Sequence, residues 1–313
     1  MNDVPTTQSA HSPPVSDDSR TNTAAALLRA MRPRQWTKNV LVAAVPLASG
    51  HLFDLDVLLP TLGAFVAFCL AASATYLIND TVDVESDRAH PTKRHRPIAS
   101  GDLSPTVAVV AAIVLFVAAV GLGTVIAPGL GAVVAAYILV TLAYSLRLKH
   151  EPVIELVFVS LGFLLRAIAG GVASGIPISS WFLIVAGFGS LFMATGKRSS
   201  ELDIMMDSES DRSSTRKVLA SYSPTCLRFV WGLAATVTVT AYCLWAFEVA
   251  EVASSVPWAE ISIVPFVMAI LRYAVDIDSH SAGAPDEVVL TDRVLLGLGA
   301  LWVVTFALGA WGI

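Results

Sequence analysis

The chain has 313 residues, an apolar fraction of 55%, a charged fraction of 14%, a net charge of −5 and a mean hydropathy of +0.68. A soluble domain carries about 25% charged residues, so this composition excludes a soluble enzyme, a disordered chain and a secreted disulfide scaffold. Cys69, Cys226 and Cys243 all fall in apolar segments and read as small hydrophobes rather than as a disulfide set or a metal site.

Residues 1–23 are polar and rich in Pro and Ser. They are expected to form a disordered cytoplasmic tail with no cleavable secretion signal, ahead of a single transmembrane domain over 24–313. Uncharged stretches at 57–78, 107–125 and 294–313 match the roughly 20 residues that cross a bilayer core. Apolar runs bounded by charge, Pro or Gly predict about nine helices: 39–55, 58–79, 104–125, 129–146, 153–172, 180–196, 224–247, 257–275 and 290–312. Pro46 interrupts the first, and Pro128 divides the third from the fourth. The runs are long and continuous rather than alternating, which favours helices over barrel strands. Alternate loops then hold all of the 20 Lys and Arg residues except Arg166. The opposite loops carry only acids: Asp54, Asp56, Glu248, Glu251 and Glu260. The positive-inside rule puts the N-terminus and the basic loops in the cytoplasm.

The second helix ends in Asn79-Asp80-Thr81-Val82-Asp83-Val84-Glu85-Ser86-Asp87. On one continuous helix, the i, i+3, i+7 spacing puts Asp80, Asp83 and Asp87 on a shared face. Clustered carboxylates repel unless a cation relieves them, and Mg²⁺ is held by one or two carboxylates plus substrate phosphates. A solvated acidic helix end is the alternative. Arg88, Lys93, Arg94 and Arg96 follow directly, and guanidinium and ammonium groups beside metal-binding acids suit a diphosphate. Further basic sites recur on the same side. They are Lys38, the Tyr144 to Lys149 loop, and Lys197-Arg198 with Glu201. Arg166 lies inside the fifth predicted span, where a charge is expensive unless it faces protein or a wet cavity, and is therefore a functional candidate. Glu155 is nearly three turns away, too far for a direct link to Arg166. Gly171 and Gly175 read as a helix-packing pair. The histidines show no ligand spacing, and the 272–293 loop reads as a solvated connection.

The Asn-Asp-x-x-Asp-x-x-x-Asp run, the Tyr144-Ser145-x-x-Leu148-Lys149 loop and the helix count resemble the UbiA superfamily of intramembrane prenyltransferases, over roughly residues 30–310. That resemblance implies an all-α integral membrane protein, a bundle of about nine helices around a polar cavity open to the cytoplasm. Arg32-Pro33-Arg34-Gln35-Trp36-Thr37-Lys38-Asn39, His90-Pro91-Thr92-Lys93-Arg94 and Arg166-Ala167-Ile168-Ala169-Gly170-Gly171-Val172 look like its phosphoribosyl-transferring branch. Prenyl-diphosphate users carry a second Asp-x-x-x-Asp motif after the sixth span, where this chain has Lys197-Arg198-Ser199-Ser200-Glu201.

The branch implies transfer of 5-phosphoribose from 5-phosphoribosyl diphosphate to a polyprenyl (decaprenyl) phosphate, in the plasma membrane. Asp80, Asp83 and Asp87 are the expected Mg²⁺ ligands, with Asn79 assisting, and Asp80, Asp83 and Arg166 the expected catalytic groups. Lys38, Lys93, Arg94, Arg96, Lys149, Arg166, Lys197 and Arg198, with Tyr144 and Glu201, are expected to surround the substrates. Polyprenyl transfer to an aromatic acceptor and anion transport are the alternatives. Nothing points to nucleic acid, and a homo-oligomer such as a trimer is left open.

Overall fold

Proline sets the helix starts. Pro105, Pro128 and Pro224 each occupy the first position of a long helix, where the missing N–H has no intrahelical acceptor to lose. The computed structural model describes residues 23–207, 218–250, 256–278 and 292–311. Nearly all of the predicted tail, Arg212, Arg216, Lys217 and most of the 272–293 loop lie outside the described residues.

Among the described residues the chain is helical throughout, with no strand. A short helix α1 (Thr23–Ala30) precedes a 3₁₀ helix (Pro33–Ala43), which continues into α2 (Ala44–Ala48). The long helix α3 (Leu55–Val82) is followed by the short α4 (Val84–Ala89) and α5 (Pro97–Ser100). Then come α6 (Pro105–Ile126), α7 (Pro128–Leu146), α8 (Ile154–Ser174), α9 (Ser180–Asp207) and α10 (Pro224–Ala250). The chain closes with α11 (Trp258–Ile261), α12 (Ile263–Asp278) and α13 (Arg293–Ala310).

Seven of these helices, α3, α6 to α10 and α13, are long and apolar enough to cross a membrane. The chain is a multi-pass membrane protein. Val110, Ile113, Val114 and Val117 leave one side of α6 exposed and apolar, as a lipid-facing surface requires. The separation of α6 from α7 falls where Pro128 predicts it. Ala127 is extended (φ −156°, ψ 133°), because a following proline disfavours the helical region.

Two predicted spans differ from simple helices. The eighth is divided at Ser262 into α11 and α12. The first is a 3₁₀ stretch of 11 residues followed by a 5-residue α-helix. At about 2.0 Å per 3₁₀ residue and about 1.5 Å per α residue, the pair reaches about 30 Å, the thickness of a bilayer core. Such a long 3₁₀ run is uncommon, and its packing accounts for it. A Cβ added to Gly170 on α8 would overlap the Val42 carbonyl oxygen, so the thin helix lies backbone against backbone. Gly170→Ala is expected to cost about 1–3 kcal/mol of stability by forcing the two apart. A thermal midpoint in detergent equal to that of the wild type would contradict this.

The Gly171 and Gly175 pair does not act as the packing motif expected. Gly175 caps α8 at φ 70°, and an added Cβ there meets nothing within 4 Å. Gly171 instead faces Ile178 and the Ile176 carbonyl in the turn after α8.

Small residues on α3 (Ala64, Ala67, Ala71) bring it against α7, α8 and the 3₁₀ helix, with Phe68 and Tyr137 filling the centre. A second core is aromatic, built on fully buried Tyr242, whose ring stacks on Phe266 at 3.9 Å. The Tyr242 hydroxyl is satisfied by Ser262 and by the Trp302 indole N–H, both at 2.6 Å.

Candidate active site

The acidic end of α3 is built by interlocked ion pairs. Asp80 is 2% exposed and accepts both oxygens' worth of hydrogen bonds from Arg32 Nη2, at 2.5 and 2.8 Å. Arg96 Nη1 donates to Asp80 Oδ1 at 3.2 Å and to Asp87 Oδ2 at 2.6 Å, so one guanidinium bridges two carboxylates. Asp83 turns elsewhere and accepts from Lys149 Nζ at 2.7 and 2.9 Å. The reason is local. Asp83 has φ −88° and ψ 7°, outside the helical region, so α3 ends there and α4 starts after it. Of the three aspartates expected on one face, two therefore converge and one diverges.

Arg32 holds a left-handed conformation (φ 55°, ψ 62°) just before Pro33. That region is unfavourable for a residue with a side chain. The bond from Nη2 shared by both Asp80 oxygens holds it in place, as does the packing of its guanidinium 4.8 Å above the Tyr76 ring.

Lys149 is carried by a strained turn. Val153 has φ 65° and ψ −47°, rare for a β-branched residue, and its N–H donates to the Tyr222 hydroxyl at 2.7 Å. Burial pushes the Tyr222 phenol above its usual range. Two residues further on, fully buried Glu155 accepts from Arg198 Nε at 2.6 Å and Nη2 at 3.0 Å, and Arg198 also pairs with Glu201. Arg198, expected to face phosphate, is thus neutralised by two carboxylates and ties α9 to α8. Glu201 is committed to the same pair.

Arg166 sits one layer deeper, on α8, at 7% exposure. Its Nε donates to Asn39 Oδ1 at 2.8 Å, Nη1 to the Gly162 carbonyl at 2.8 Å, and Nη2 to the Tyr137 hydroxyl at 2.9 Å. The rings of Tyr137 and Phe163 lie 4.8 and 5.3 Å from the guanidinium. No carboxylate pairs with it among the described residues. Glu155 binds Arg198 instead, as the separation along α8 implied.

The remaining predicted residues lie around this end. Lys38 and Lys93 are half-buried and engaged in interactions of their own. Asn79 is half-buried, and its carbonyl accepts the Asp83 N–H at 2.9 Å. Tyr144 is half-buried within electrostatic reach of Arg198. Lys197 is half-buried on α9, and Arg94 is exposed beside His95. Arg32 and Tyr76 were not singled out by sequence reasoning. The signal was a basic residue directly before the proline that opens a helix, and a tyrosine one turn ahead of the first aspartate.

A hard divalent cation fits the acidic pair. Among the described residues no three His, Cys, Asp or Glu side chains converge on one point. Asp80 and Asp87 nevertheless meet at a single positive group, Arg96. Two convergent carboxylates are donors of the kind Mg²⁺ uses, with water and substrate phosphates completing its shell. At the opposite end of the bundle lies an apolar cavity lined by Val45, Ile176, Ile178, Phe182, Trp245 and Val249, far from these charges.

Comparison with known proteins shows the family. The profile of the UbiA prenyltransferase family matches residues 40–288. The chain is 50% identical over 287 residues to decaprenyl-phosphate phosphoribosyltransferase of Corynebacterium glutamicum, covering 90% of this chain and 86% of that one. It is 49% identical over 288 residues to the protein of the same name from Mycobacterium tuberculosis, covering 91% and 94%. In structure it resembles a UbiA homolog from Archaeoglobus fulgidus bound to DMAPP and Mg²⁺, with a TM-score of 0.67, 18% identity, and 91% and 97% coverage. A UbiA homolog from Aeropyrum pernix superposes with a TM-score of 0.62, 14% identity, and 88% and 96% coverage. The fold, the acidic run at the end of α3 and the family match over most of its length together mean that this chain belongs to the UbiA prenyltransferase family.

Proposed function

We propose that this chain transfers 5-phosphoribose from 5-phosphoribosyl diphosphate to decaprenyl phosphate and releases pyrophosphate. The observation that carries this reading is the 50% identity, over 90% of the chain, to a protein named for that transfer. The charges are of the right kind. The donor brings a diphosphate and a 5-phosphate, and the lipid brings a further phosphate. Arg32 and Arg96 supply cations at the acidic pair, Lys149 at Asp83 and Arg166 deeper on α8, and Lys38 and Lys197 are further candidates.

In the reaction, an oxygen of the lipid phosphate attacks the anomeric carbon of the ribose. The bond from that carbon to the diphosphate breaks, and its electron pair leaves with pyrophosphate. The attacking phosphate is already an anion at neutral pH, so no strong general base is needed. Catalysis is then positioning and electrostatics by fixed groups. Asp80 and Asp87 would hold Mg²⁺, with Asp83 joining them only on release from Lys149, and the metal when bound would neutralise the charge of the departing diphosphate. Lys149 and Arg96, which neutralise the aspartates here, would turn to phosphate oxygens when the donor binds. Arg166, with no carboxylate of its own, offers its charge to a substrate anion.

Residues 24–313 form one transferase domain in this reading. The basic end faces the cytoplasm of a plasma membrane, where the water-soluble donor is available. The product is the first lipid-linked intermediate towards the arabinose donor of cell-wall arabinan.

Membranes holding the protein, given labelled 5-phosphoribosyl diphosphate with decaprenyl phosphate, are expected to form a labelled lipid. Labelled prenyl diphosphate with hydroxybenzoate is expected to give none. The reverse outcome would make the chain a prenyltransferase, and uptake of the donor without covalent product would make it a transporter. Arg166→Ala is expected to lower kcat/KM at least about tenfold, or about 1.4 kcal/mol in the barrier. Unchanged kinetics would leave Arg166 as a packing residue.

A further inference from the structure

We propose that Tyr76 contacts the ribose of the donor and helps to select a sugar diphosphate over a prenyl one. This rests on the phosphoribosyl-transfer reading above. Tyr76 precedes Asp80 by four residues on α3, so it shares that face and lies about 6 Å deeper, one helical turn. Its ring carries the Arg32 guanidinium at 4.8 Å, and the same guanidinium grips Asp80. Arg166, Tyr137 and Asp80 are all within electrostatic reach of it. One cationic centre, Arg32, thus lies against the ring at the aspartate level, and a second, Arg166, acts on the phenol from α8.

Its hydroxyl is the second observation. The hydroxyls of Tyr137, Tyr222 and Tyr242 are each hydrogen-bonded. Those of half-buried Tyr76 and Tyr144 have no such partner among the described residues, and of these two only Tyr76 lies under Arg32 on the Asp80 helix.

A donor with phosphate on both sides of a ribose needs two cationic centres and a neutral hydrogen-bonding group between them. Tyr76 supplies the neutral group. A prenyl chain in the same place has no hydroxyl to offer and would leave the phenol desolvated and unsatisfied. A site built to hydrogen-bond a substrate hydroxyl discriminates strongly against an analogue that lacks one.

Tyr76→Phe keeps the ring under Arg32 and removes only the oxygen. It is expected to raise the KM for 5-phosphoribosyl diphosphate about tenfold, as loss of one hydrogen bond does, with the KM for decaprenyl phosphate unchanged. The 2-deoxy and 3-deoxy analogues of the donor, compared as inhibitors, carry the decisive readout. One of them is expected to bind the wild type and Tyr76→Phe equally, because the partner hydroxyl is already gone. An unchanged donor KM in Tyr76→Phe, or the same loss of affinity for the donor and both analogues, would overturn the proposal while leaving the transfer reaction intact. No labelled lipid from the wild type would instead overturn the reading on which it rests.

Discussion

Asp80→Asn is expected to reduce transfer at least about a hundredfold while the protein still inserts and folds. The side chain is 2% exposed and accepts hydrogen bonds from both Arg32 and Arg96. Asn keeps the shape but loses the charge that anchors those cations and that would bind a divalent ion. Removing one fixed electrostatic partner from a reaction centre typically costs about 10²–10³ in rate. Turnover with 5-phosphoribosyl diphosphate, beside the thermal midpoint of the same preparation, separates the two effects. Near-normal turnover would take Asp80 out of the chemistry, and a large fall in midpoint would make its role structural.

The largest expected effect on stability is at Glu155. It is fully buried, and both of its oxygens accept from Arg198, which is 7% exposed. Glu155→Gln leaves Arg198 with Glu201 alone, in a site that excludes water. Breaking a buried pair by removing one partner costs about 3–5 kcal/mol, because the other charge stays uncompensated. Replacing both, as Glu155→Leu with Arg198→Met, is expected to recover most of that loss, since well-packed apolar groups of similar volume often match a buried pair. Unfolding followed in detergent would show this. Equal destabilisation by the single and double changes would mean that packing, not charge, holds α8 to α9.

Much of the candidate site was legible because it depends on local spacing. The acidic run is written along one helix end, and the charge of Arg166 stands out against an uncharged span. Proline marked the split between α6 and α7, and Pro46 marked the irregular first span, although the long 3₁₀ form depends on the close approach of Gly170. What was not legible depends on distant segments meeting. Arg96 bridges Asp80 and Asp87 only because the chain after α4 folds back. Arg198 looked like one more phosphate-binding cation beside Lys197. Its partner, Glu155, lies 43 residues away and is brought to it by the packing of α8 against α9. Arg32 opens one of the motifs that resemble the phosphoribosyl-transferring branch, but its grip on Asp80, 48 residues on, cannot be read from either segment alone. The direction of Asp83 turns on a single backbone torsion at the α3–α4 junction, which no pattern of residue types reveals.

The reaction itself is tested most directly with the purified protein in lipid nanodiscs. It would be supplied with decaprenyl phosphate and 5-phosphoribosyl diphosphate, with Mg²⁺ or with a chelator. Mass spectrometry of the lipid and an assay of released pyrophosphate would be read together. The expected result is a phosphoribosylated decaprenyl phosphate and one equivalent of pyrophosphate, only when Mg²⁺ is present. A lipid unchanged in mass, or pyrophosphate released without it, would contradict the account.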